Sequence, residues 1–311
     1  MEFRRLGNSG LSVSEIGLGC NNFGGRVDQP GTKRVVDAAL DHGITLFDTA
    51  DVYGGSDSEV FLGKALGSRR SDVIIATKFG MAMGQDALSR GGSRRYIMKA
   101  VEASLGRLGT DYIDLYQIHF PDPATPIDET LSALDDLVRA GKVRYVGSSN
   151  FSSWQIADAD WTARSEGYTR FVSAQNHMNL FERAVVHEMI PGCRHFGLGM
   201  LPYFPLASGL LTGKYVRGEA APEGTRLANA GARAGRALSD NNFDRLEALT
   251  SFADERSHTL LELALGWLLS FEEVSSVIAG ATREEQIHSN VEGAGLRLDA
   301  DEMREVATLV R

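Results

Sequence analysis

Short apolar runs alternate along this chain with longer segments in which apolar residues recur at helical spacing. The short runs are apolar throughout, which is typical of parallel strands covered on both faces, because a half-exposed strand would alternate with polar residues. Counted from Glu15, the predicted strands are Glu15 to Leu18, Ile44 to Phe47, Val73 to Ala76, Ile113 to Ile118, Val143 to Val146, Phe171 to Ala174, Leu198 to Leu201 and Val274 to Ile278. A predicted helix follows each strand.

Eight such units predict an α/β fold of the (β/α)8 TIM barrel type, with residues 1–311 as one domain. A β-hairpin is predicted before the barrel, where Glu2 to Leu6 and Leu11 to Ser14 flank the turn residues Asn8-Ser9-Gly10. Extra C-terminal helices are predicted after strand seven and at the end of the chain. The alternative is an open doubly wound sheet, but no Gly-x-Gly-x-x-Gly fingerprint follows any predicted strand.

The helices are predicted at Gly31 to Asp41, Ser58 to Leu66, Arg94 to Leu108, Ile127 to Ala140, Ser153 to Ala163, Ala184 to Phe196, Asp240 to Arg256, Thr259 to Ser270, Glu284 to Asn290 and Asp299 to Leu309. A long connection, Ala207 to Ser239, follows strand seven and is rich in glycine, alanine and arginine without a clear period. Connections of that length in compact domains tend to be functional or mobile. This one lies on the side where barrels carry their sites.

The formal charge of −9 narrows the range of partners. An acidic surface repels phosphate backbones and anionic lipid, so we expect neither nucleic acid nor a membrane as a partner. No apolar run follows the N-terminal arginines, which argues against a secretory signal. The two cysteines, Cys20 and Cys193, form neither a disulfide framework nor a metal site, and free thiols favour a cytoplasmic location. The oligomeric state stays open, and a monomer is compatible with the sequence.

Polar residues at the carboxyl ends of barrel strands are the first catalytic candidates. The ends of strands two to four carry Asp48, Lys78 and His119, and Tyr53 follows Asp48 by five residues. Taken singly, each has an ordinary structural explanation, such as a helix cap, a core histidine or a packing aromatic. Lys78 directly follows a buried strand, however, and a buried ammonium requires a partner, for which Asp48 on the adjacent strand is suited. The convergence of all four at one rim indicates a catalytic site.

These four side chains suit the reduction of a carbonyl group by hydride. A phenol has a pKa near ~10 in water, and we expect the ammonium of Lys78 to lower the pKa of Tyr53. His119 is placed to donate a hydrogen bond to a substrate oxygen and fix its direction. The cluster therefore predicts an acid directed at an oxygen that gains negative charge.

The segment Phe47-Asp48-Thr49-Ala50-Asp51-Val52-Tyr53-Gly54 resembles the first signature of the aldo-keto reductase family. Ile75-Ala76-Thr77-Lys78 and Tyr116-Gln117-Ile118-His119 resemble the strand ends that carry the other members of its catalytic tetrad. Further matches follow in order, at Gly17-Leu18-Gly19, Val146-Gly147-Ser148-Ser149-Asn150-Phe151, Gln175-Asn176, Tyr203-Phe204-Pro205-Leu206-Ala207 and Val277-Ile278-Ala279-Gly280-Ala281-Thr282. The resemblance implies the tetrad Asp48, Tyr53, Lys78 and His119, a small-molecule aldehyde or ketone as substrate, and NADPH/NADP as cofactor.

The resemblance also implies a set of cofactor-binding residues. Ser149, Asn150 and Gln175 would bond the nicotinamide carboxamide, and Tyr203 would stack on its ring. Residues for the pyrophosphate are Leu206, Ser208, Gly209, Leu211 and Lys214, and those for the adenosine and its phosphate are Gly280, Thr282, Arg283, Gln286 and Asn290. An arginine that opens a helix suits a 2′-phosphate, which favours NADPH. Some relatives carry a lysine in place of Gly280, so NADH stays open.

The loops after strands one to four are expected to line the substrate pocket, with Asn21, Asn22, Phe23 and Phe120 as candidates. Two other functions remain compatible with the same residues. One is an enoyl reductase acting on a nucleotide-linked sugar, and the other is a redox-sensing protein that resembles the ion-channel subunits found among family relatives. A cofactor-binding protein with little turnover is a third possibility.

Overall fold

Eight parallel strands form one sheet, as predicted, and the computed structural model describes residues 1–228 and 230–310. The hairpin strands are β1 (Phe3–Arg5) and β2 (Ser12–Ser14). The barrel strands are β3 (Ile16–Gly19), β4 (Leu46–Asp48), β5 (Ile74–Phe79), β6 (Ile113–Ile118), β7 (Val143–Ser149), β8 (Ser173–Gln175), β9 (Gly199–Met200) and β10 (Val277–Gly280). They lie in the order β10-β3-β4-β5-β6-β7-β8-β9.

Helices surround this sheet and connect its strands. They are α1 (Gln29–Asp41), α2 (Asp57–Leu66), α3 (Arg94–Leu108), α4 (Ile127–Arg139), α5 (Ser153–Glu166), α6 (Ala184–Phe196), α7 (Ala232–Ala237), α8 (Asp240–Asp254), α9 (Leu260–Leu269), α10 (Glu284–Glu292) and α11 (Ala300–Leu309). Within the described ranges, no helix has both the length and the apolar composition needed to cross a bilayer.

The sheet closes between β9 and β10 through isolated backbone bridges instead of a continuous ladder. Met200 pairs with Val274, and Tyr203 pairs with Ile278. The amide of Ser275 donates to the carbonyl of Met200 at 3.0 Å, and the amide of Ile278 donates to the carbonyl of Pro202 at 2.9 Å. These contacts complete the ring of eight strands, and the predicted barrel is confirmed.

The hairpin covers the amino-terminal end of the barrel. Leu6 and Val13 are fully buried and pack with Leu46, Leu115 and Ile278 from the barrel interior. This apolar layer fills the lower part of the barrel, so polar side chains collect at the carboxyl ends of the strands. The arrangement explains why the candidate site lies at that rim.

Several predicted bounds differ from the structure by one to three residues, and one helix was not predicted. The last barrel strand runs from Val277 to Gly280, whereas the apolar run predicted Val274 to Ile278, because pairing with β3 continues to the match of Gly280 with Gly19. The connection Ala207 to Ser239 contains the short helix α7, which hydrophobic periodicity missed. Its sequence is built from alanine, arginine and glycine, so its helicity derives from the propensity of alanine and arginine without an apolar stripe.

The contact between α2 and α3 depends on Gly63. A Cβ atom added there would overlap the carbonyl oxygen of Leu108, which is backbone and has little freedom to move. Gly106, inside α3, has no heavy atom within 4 Å of an added Cβ. The two glycines therefore separate the effect of close packing from that of backbone entropy.

We expect Gly63→Ala to lower the free energy of unfolding by about 1–3 kcal/mol, because the added methyl group must push the two helices apart. Gly106→Ala is the matched control and should raise it by about 0.5–1 kcal/mol, since alanine is the better helix former and meets no obstacle. Urea denaturation of both variants tests this. Equal effects in the two variants would contradict the packing argument.

Candidate active site

The ammonium of Lys78 is the centre of the polar cluster at the barrel rim. Its side chain is fully buried, although it carries a charge. Nζ lies 2.8 Å from both carboxylate oxygens of Asp48 and donates to the carbonyl of Thr49 at 2.8 Å. The hydroxyl of Tyr53 lies 3.5 Å from the same nitrogen. Asp48 is thus the partner that a buried lysine on β5 requires.

Local backbone structure presents Tyr53 to this ammonium. β4 ends at Asp48, and Tyr53 opens a short 3-10 turn that continues through Gly54 at a φ of 59°. A side chain at Gly54 would collide with the backbone carbonyl of Phe23. The turn therefore requires glycine both for its left-handed conformation and for the close approach of the two loops.

The pKa of Tyr53 is raised from its ordinary value, whereas the sequence analysis expected Lys78 to give a net lowering. Burial of the phenol is the largest cause, because desolvation penalises the phenolate, and Asp48 adds to it. Lys78 does act in the lowering direction, but its effect is the smaller one. Burial acts to lower the pKa of Lys78. The charges and hydrogen bonds of Asp48 and Tyr53 outweigh this effect, so the pKa of Lys78 is raised overall. The resting site therefore holds a neutral phenol beside a charged ammonium.

His119 faces the phenol and is held in the neutral state. Its ring meets that of Tyr53 edge-on, with 5.7 Å between centroids. Burial, followed by the charge of Lys78, lowers the pKa of His119 to about 3. Its backbone amide donates to the carbonyl of Phe79 at 2.8 Å, which anchors the residue to β5. A neutral imidazole at this point can donate one hydrogen bond from its N–H group.

Hydrogen bonds connect the expected nicotinamide residues to the tetrad. Gln175 donates from Nε2 to Asp48 at 2.8 Å, and Asn150 donates from Nδ2 to the carbonyl of His119 at 2.9 Å. Ser149 donates to the carbonyl of Gln175 at 3.0 Å, and the hydroxyl of Tyr203 donates to Asn150 at 2.7 Å. The ring of Tyr203 stacks on His177 with centroids 5.3 Å apart. These residues therefore adjoin the tetrad along the rim.

Four cations meet farther along the rim, in the loops after β3, β9 and β10. Burial, together with the charges of Arg26, Arg283 and Arg226, lowers the pKa of Lys214. Arg226 also donates to Asn22 at 3.0 Å, and Arg26 donates to the carbonyl of Gly224 at 2.7 Å. The sequence analysis predicted Lys214 and Arg283 but missed Arg26 and Arg226. Both missed residues lie in loops, where sequence periodicity gives no indication of which charges converge.

The other expected phosphate and adenosine residues lie on the segments that follow β9 and β10. Leu206, Ser208, Gly209 and Leu211 lie at the turn Ala207–Thr212, where Ala207, Ser208 and Gly209 all have positive φ. Leu211 is fully buried and so contributes through its backbone or through packing. Gly280 ends β10, and Gln286 accepts from the amide of Thr282 at 2.8 Å. Asn290 is buried in α10.

The candidate substrate residues lie in different surroundings. Phe120 is exposed and its ring stacks on His119 at 5.3 Å, so it borders the tetrad. Asn22 is buried and donates to the carbonyl of Ala281 at 3.2 Å, and Asn21 also lies close to Gly280, so both adjoin the cofactor candidates. Phe23 is fully buried, which assigns it to packing behind Gly54 instead of to a pocket surface.

A second buried carboxylate below Tyr53 was not predicted as a site residue. Asp51 lies on the loop between Asp48 and Tyr53, and its amide donates to the carbonyl of Lys78 at 3.1 Å. One of its carboxylate oxygens is buried without a partner within the described structure. Burial, and then the charge of Glu59, raises the pKa of Asp51 to about 7. Glu59 itself is paired with Arg107 at 2.6 Å.

Comparison with known proteins places this chain among oxidoreductases and related proteins. The model of the Aldo/keto reductase family matches residues 15–311. A probable voltage-gated potassium channel subunit beta from Arabidopsis thaliana is 39% identical over 94% of this chain and 90% of its own length. An uncharacterized oxidoreductase, YrpG, from Bacillus subtilis is 36% identical over 98% of this chain and 94% of its own. Versiconal hemiacetal acetate reductase from Aspergillus parasiticus is 35% identical over 98% and 95%.

We expect Asp51→Asn to stabilise the fold at pH 8 by on the order of 1–3 kcal/mol and to have little effect at about pH 4. Because the folded-state pKa is about 7 and lies above the unfolded value near ~4, the stabilising effect of the protonated carboxyl is fully present below the unfolded pKa and is lost progressively as the pH rises from there through 7. Asparagine resembles the protonated acid at every pH.

Denaturant unfolding at both pH values measures this difference. Asp41→Asn, an exposed carboxylate at the end of α1, is the matched control and should change little at either pH. A stabilisation by Asp51→Asn that is independent of pH would contradict the assignment of a titrating carboxyl.

Proposed function

Because the chain belongs to the aldo/keto reductase family, we propose that it is an NADPH-dependent reductase that converts aldehydes or ketones into alcohols, with Tyr53 as general acid. The observation that carries this proposal is the buried ammonium of Lys78, held between the carboxylate of Asp48 and the hydroxyl of Tyr53. A proton donor beside a fixed positive charge is the group that carbonyl reduction requires.

Tyr53 has the properties of an acid that releases its proton only during the reaction. The raised pKa keeps the phenol protonated in the resting enzyme. When the proton passes to the substrate oxygen, a phenolate forms 3.5 Å from Lys78. The ammonium is held by Asp48 and needs no rearrangement, so it stabilises that phenolate within a buried environment. Asp48 acts through Lys78 and serves to hold it in position.

His119 directs the carbonyl toward Tyr53. Its neutral ring stands edge-on to the phenol, and a donated hydrogen bond would hold the substrate oxygen between the two groups. Phe120 stacks on the same ring and presents an exposed aromatic surface next to it. The substrate would therefore contact an apolar surface beside its carbonyl group, which suits an aldehyde or ketone with an apolar substituent.

The residues present fit a dinucleotide. Lys214 and the three arginines around it repel one another, and this repulsion contributes to the lowered pKa of Lys214. Phosphate groups bound among them would relieve the repulsion. Ser149, Asn150 and Gln175 offer amide and hydroxyl groups for a carboxamide. The bound cofactor would supply a hydride to the carbonyl carbon. Leu206, Ser208, Gly209 and Leu211 would line the pyrophosphate, and Gly280, Thr282, Gln286 and Asn290 the adenosine.

A second function is favoured by the likeness to potassium channel beta subunits. Two such relatives, from Arabidopsis thaliana and Oryza sativa subsp. japonica, are 39% and 38% identical to this chain. We infer that the alternative function of this chain is that of a redox-sensing subunit, in which the same four side chains catalyse slow turnover. Rapid steady-state turnover in the absence of any membrane protein would favour the reductase.

We expect Tyr53→Phe to lower kcat at least about a hundredfold with NADPH affinity nearly unchanged, because the ring stays in place while the acid proton is lost. Turnover is measured as NADPH oxidation against aromatic, aliphatic and dicarbonyl compounds, and affinity by cofactor fluorescence. Tyr112→Phe is the control, because Tyr112 packs between Arg70 and Arg144, which lie away from the tetrad. Full activity in the Tyr53 variant would exclude Tyr53 as the acid.

We expect Arg283→Ala to weaken NADPH binding about tenfold and leave NADH binding unchanged, because only NADPH carries a 2′-phosphate. Arg283 is exposed at the start of α10, so its loss should not affect folding. Arg304→Ala, an exposed arginine on α11, is the matched control. Titration of both cofactors measures the ratio, and an equal loss for the two would exclude Arg283 as the phosphate ligand.

A further inference from the structure

Two tryptophans project from the outer face of α5. Trp154 and Trp161 are 68% and 70% exposed, whereas Trp267 is buried. They are seven residues apart, which is two helical turns, so the indoles lie on one face about 10 Å apart along the axis. Neither indole takes part in a hydrogen bond or ring contact with the described residues. The barrel therefore does not account for either tryptophan.

The buried face of α5 is complete without them. Ile156, Ala159 and Ala163 pack toward the barrel, and the buried Asp160 is paired with Arg164 at 2.7 Å and with Arg170 at 2.5 Å. An outer barrel helix ordinarily has one apolar face and one polar face. In α5 the outward face also carries large apolar side chains, and exposed aromatic pairs of this kind mark contact surfaces between proteins.

The charge between the two indoles is negative. Asp158 lies four residues after Trp154 and three before Trp161, on the same exposed face, and has no ion pair among the described residues. At the start of the helix, the exposed Glu188 of α6 accepts from the amide of Ser153 at 2.7 Å, which adds a second carboxylate beside Trp154. The one arginine of the helix, Arg164, is paired with Asp160.

These features argue against a second copy of this chain as the occupant. An isologous pairing of two α5 helices about a two-fold axis would bring Asp158 against its own copy at the centre of the contact, where like charges repel. The two indoles together expose roughly 300 Å², while a stable dimer buries about 800 Å² on each partner. The surface has the size of a peptide contact.

We propose that Trp154, Asp158 and Trp161 form a docking surface for a short basic amphipathic helix of another protein. The partner segment presents an arginine between two apolar side chains spaced two turns apart. The guanidinium pairs with Asp158 and lies against an indole face, and the apolar side chains cover the rings. This mode corresponds to an amphipathic helix recognised through anchors at i and i+7.

Two stapled helical peptides of about 15 residues test the proposal. Both carry leucines at i and i+7, and they differ only in an arginine or a glutamate at i+4. By fluorescence anisotropy of labelled peptides, we expect the arginine peptide to bind the full chain with a Kd below about 1 mM, and the glutamate peptide about tenfold more weakly.

The variants separate the contributions to binding. Asp158→Lys should reverse the preference between the two peptides, and the double change Trp154→Ser with Trp161→Ser should abolish binding of both. Asp254→Lys, an exposed carboxylate at the end of α8, is the matched control and should leave both affinities unchanged. An unchanged melting temperature shows that the exposed substitutions leave the fold intact.

Two results would overturn the proposal. One is equal binding of the peptides, or no binding of the arginine peptide up to about 1 mM. The other is a dimer in sedimentation of the protein alone that dissociates in the tryptophan double variant, which would assign the surface to a second copy of the chain. Neither result depends on catalytic activity, so both are independent of the proposed reductase function.

Discussion

The site is organised by the burial of one positive charge. An ammonium without solvent contact must be matched by acceptors, and Lys78 finds them in the carboxylate of Asp48 and the carbonyl of Thr49. Gln175 donates to the same carboxylate from the opposite side of the barrel. This set of contacts links β4, β5 and β8 at one level of the rim. The position of Tyr53 follows from it, because the turn after β4 begins beside the matched charge.

The electrostatic character of the rim changes from one end to the other. Around Lys78, burial keeps Tyr53 and His119 neutral, so the interior holds one compensated pair of charges and two uncharged donors. Around Lys214, several cations meet at a partly exposed surface. On a chain with a net charge of −9, such a local positive field would attract an anionic ligand to one end of the rim.

Much of the fold could be predicted because parallel barrel strands leave a strong pattern. The strand ends at Asp48, Lys78 and His119 were located from apolar runs alone. Helix α7 escaped prediction because alanine and arginine form a helix without an apolar stripe. The predicted net shift of the Tyr53 pKa was wrong in direction, because a sequence reveals the neighbouring lysine but not the depth of burial. Arg26 and Arg226 were missed because their convergence depends on loop geometry, and the roles of the predicted site residues remain predictions.

The closure of the barrel between β9 and β10 has a consequence for its dynamics. Neighbouring strands elsewhere share ladders, but here single bridges at Met200 and Tyr203 hold the edges together. The seam lacks a continuous ladder such as the four paired residues that join β5 to β6, so its amides should exchange with solvent before those of β5 and β6. Tyr203 and Leu206 follow one edge of the seam, and Thr282 follows the other. A ligand that contacts both edges would therefore hold β9 and β10 together and slow the opening of the barrel.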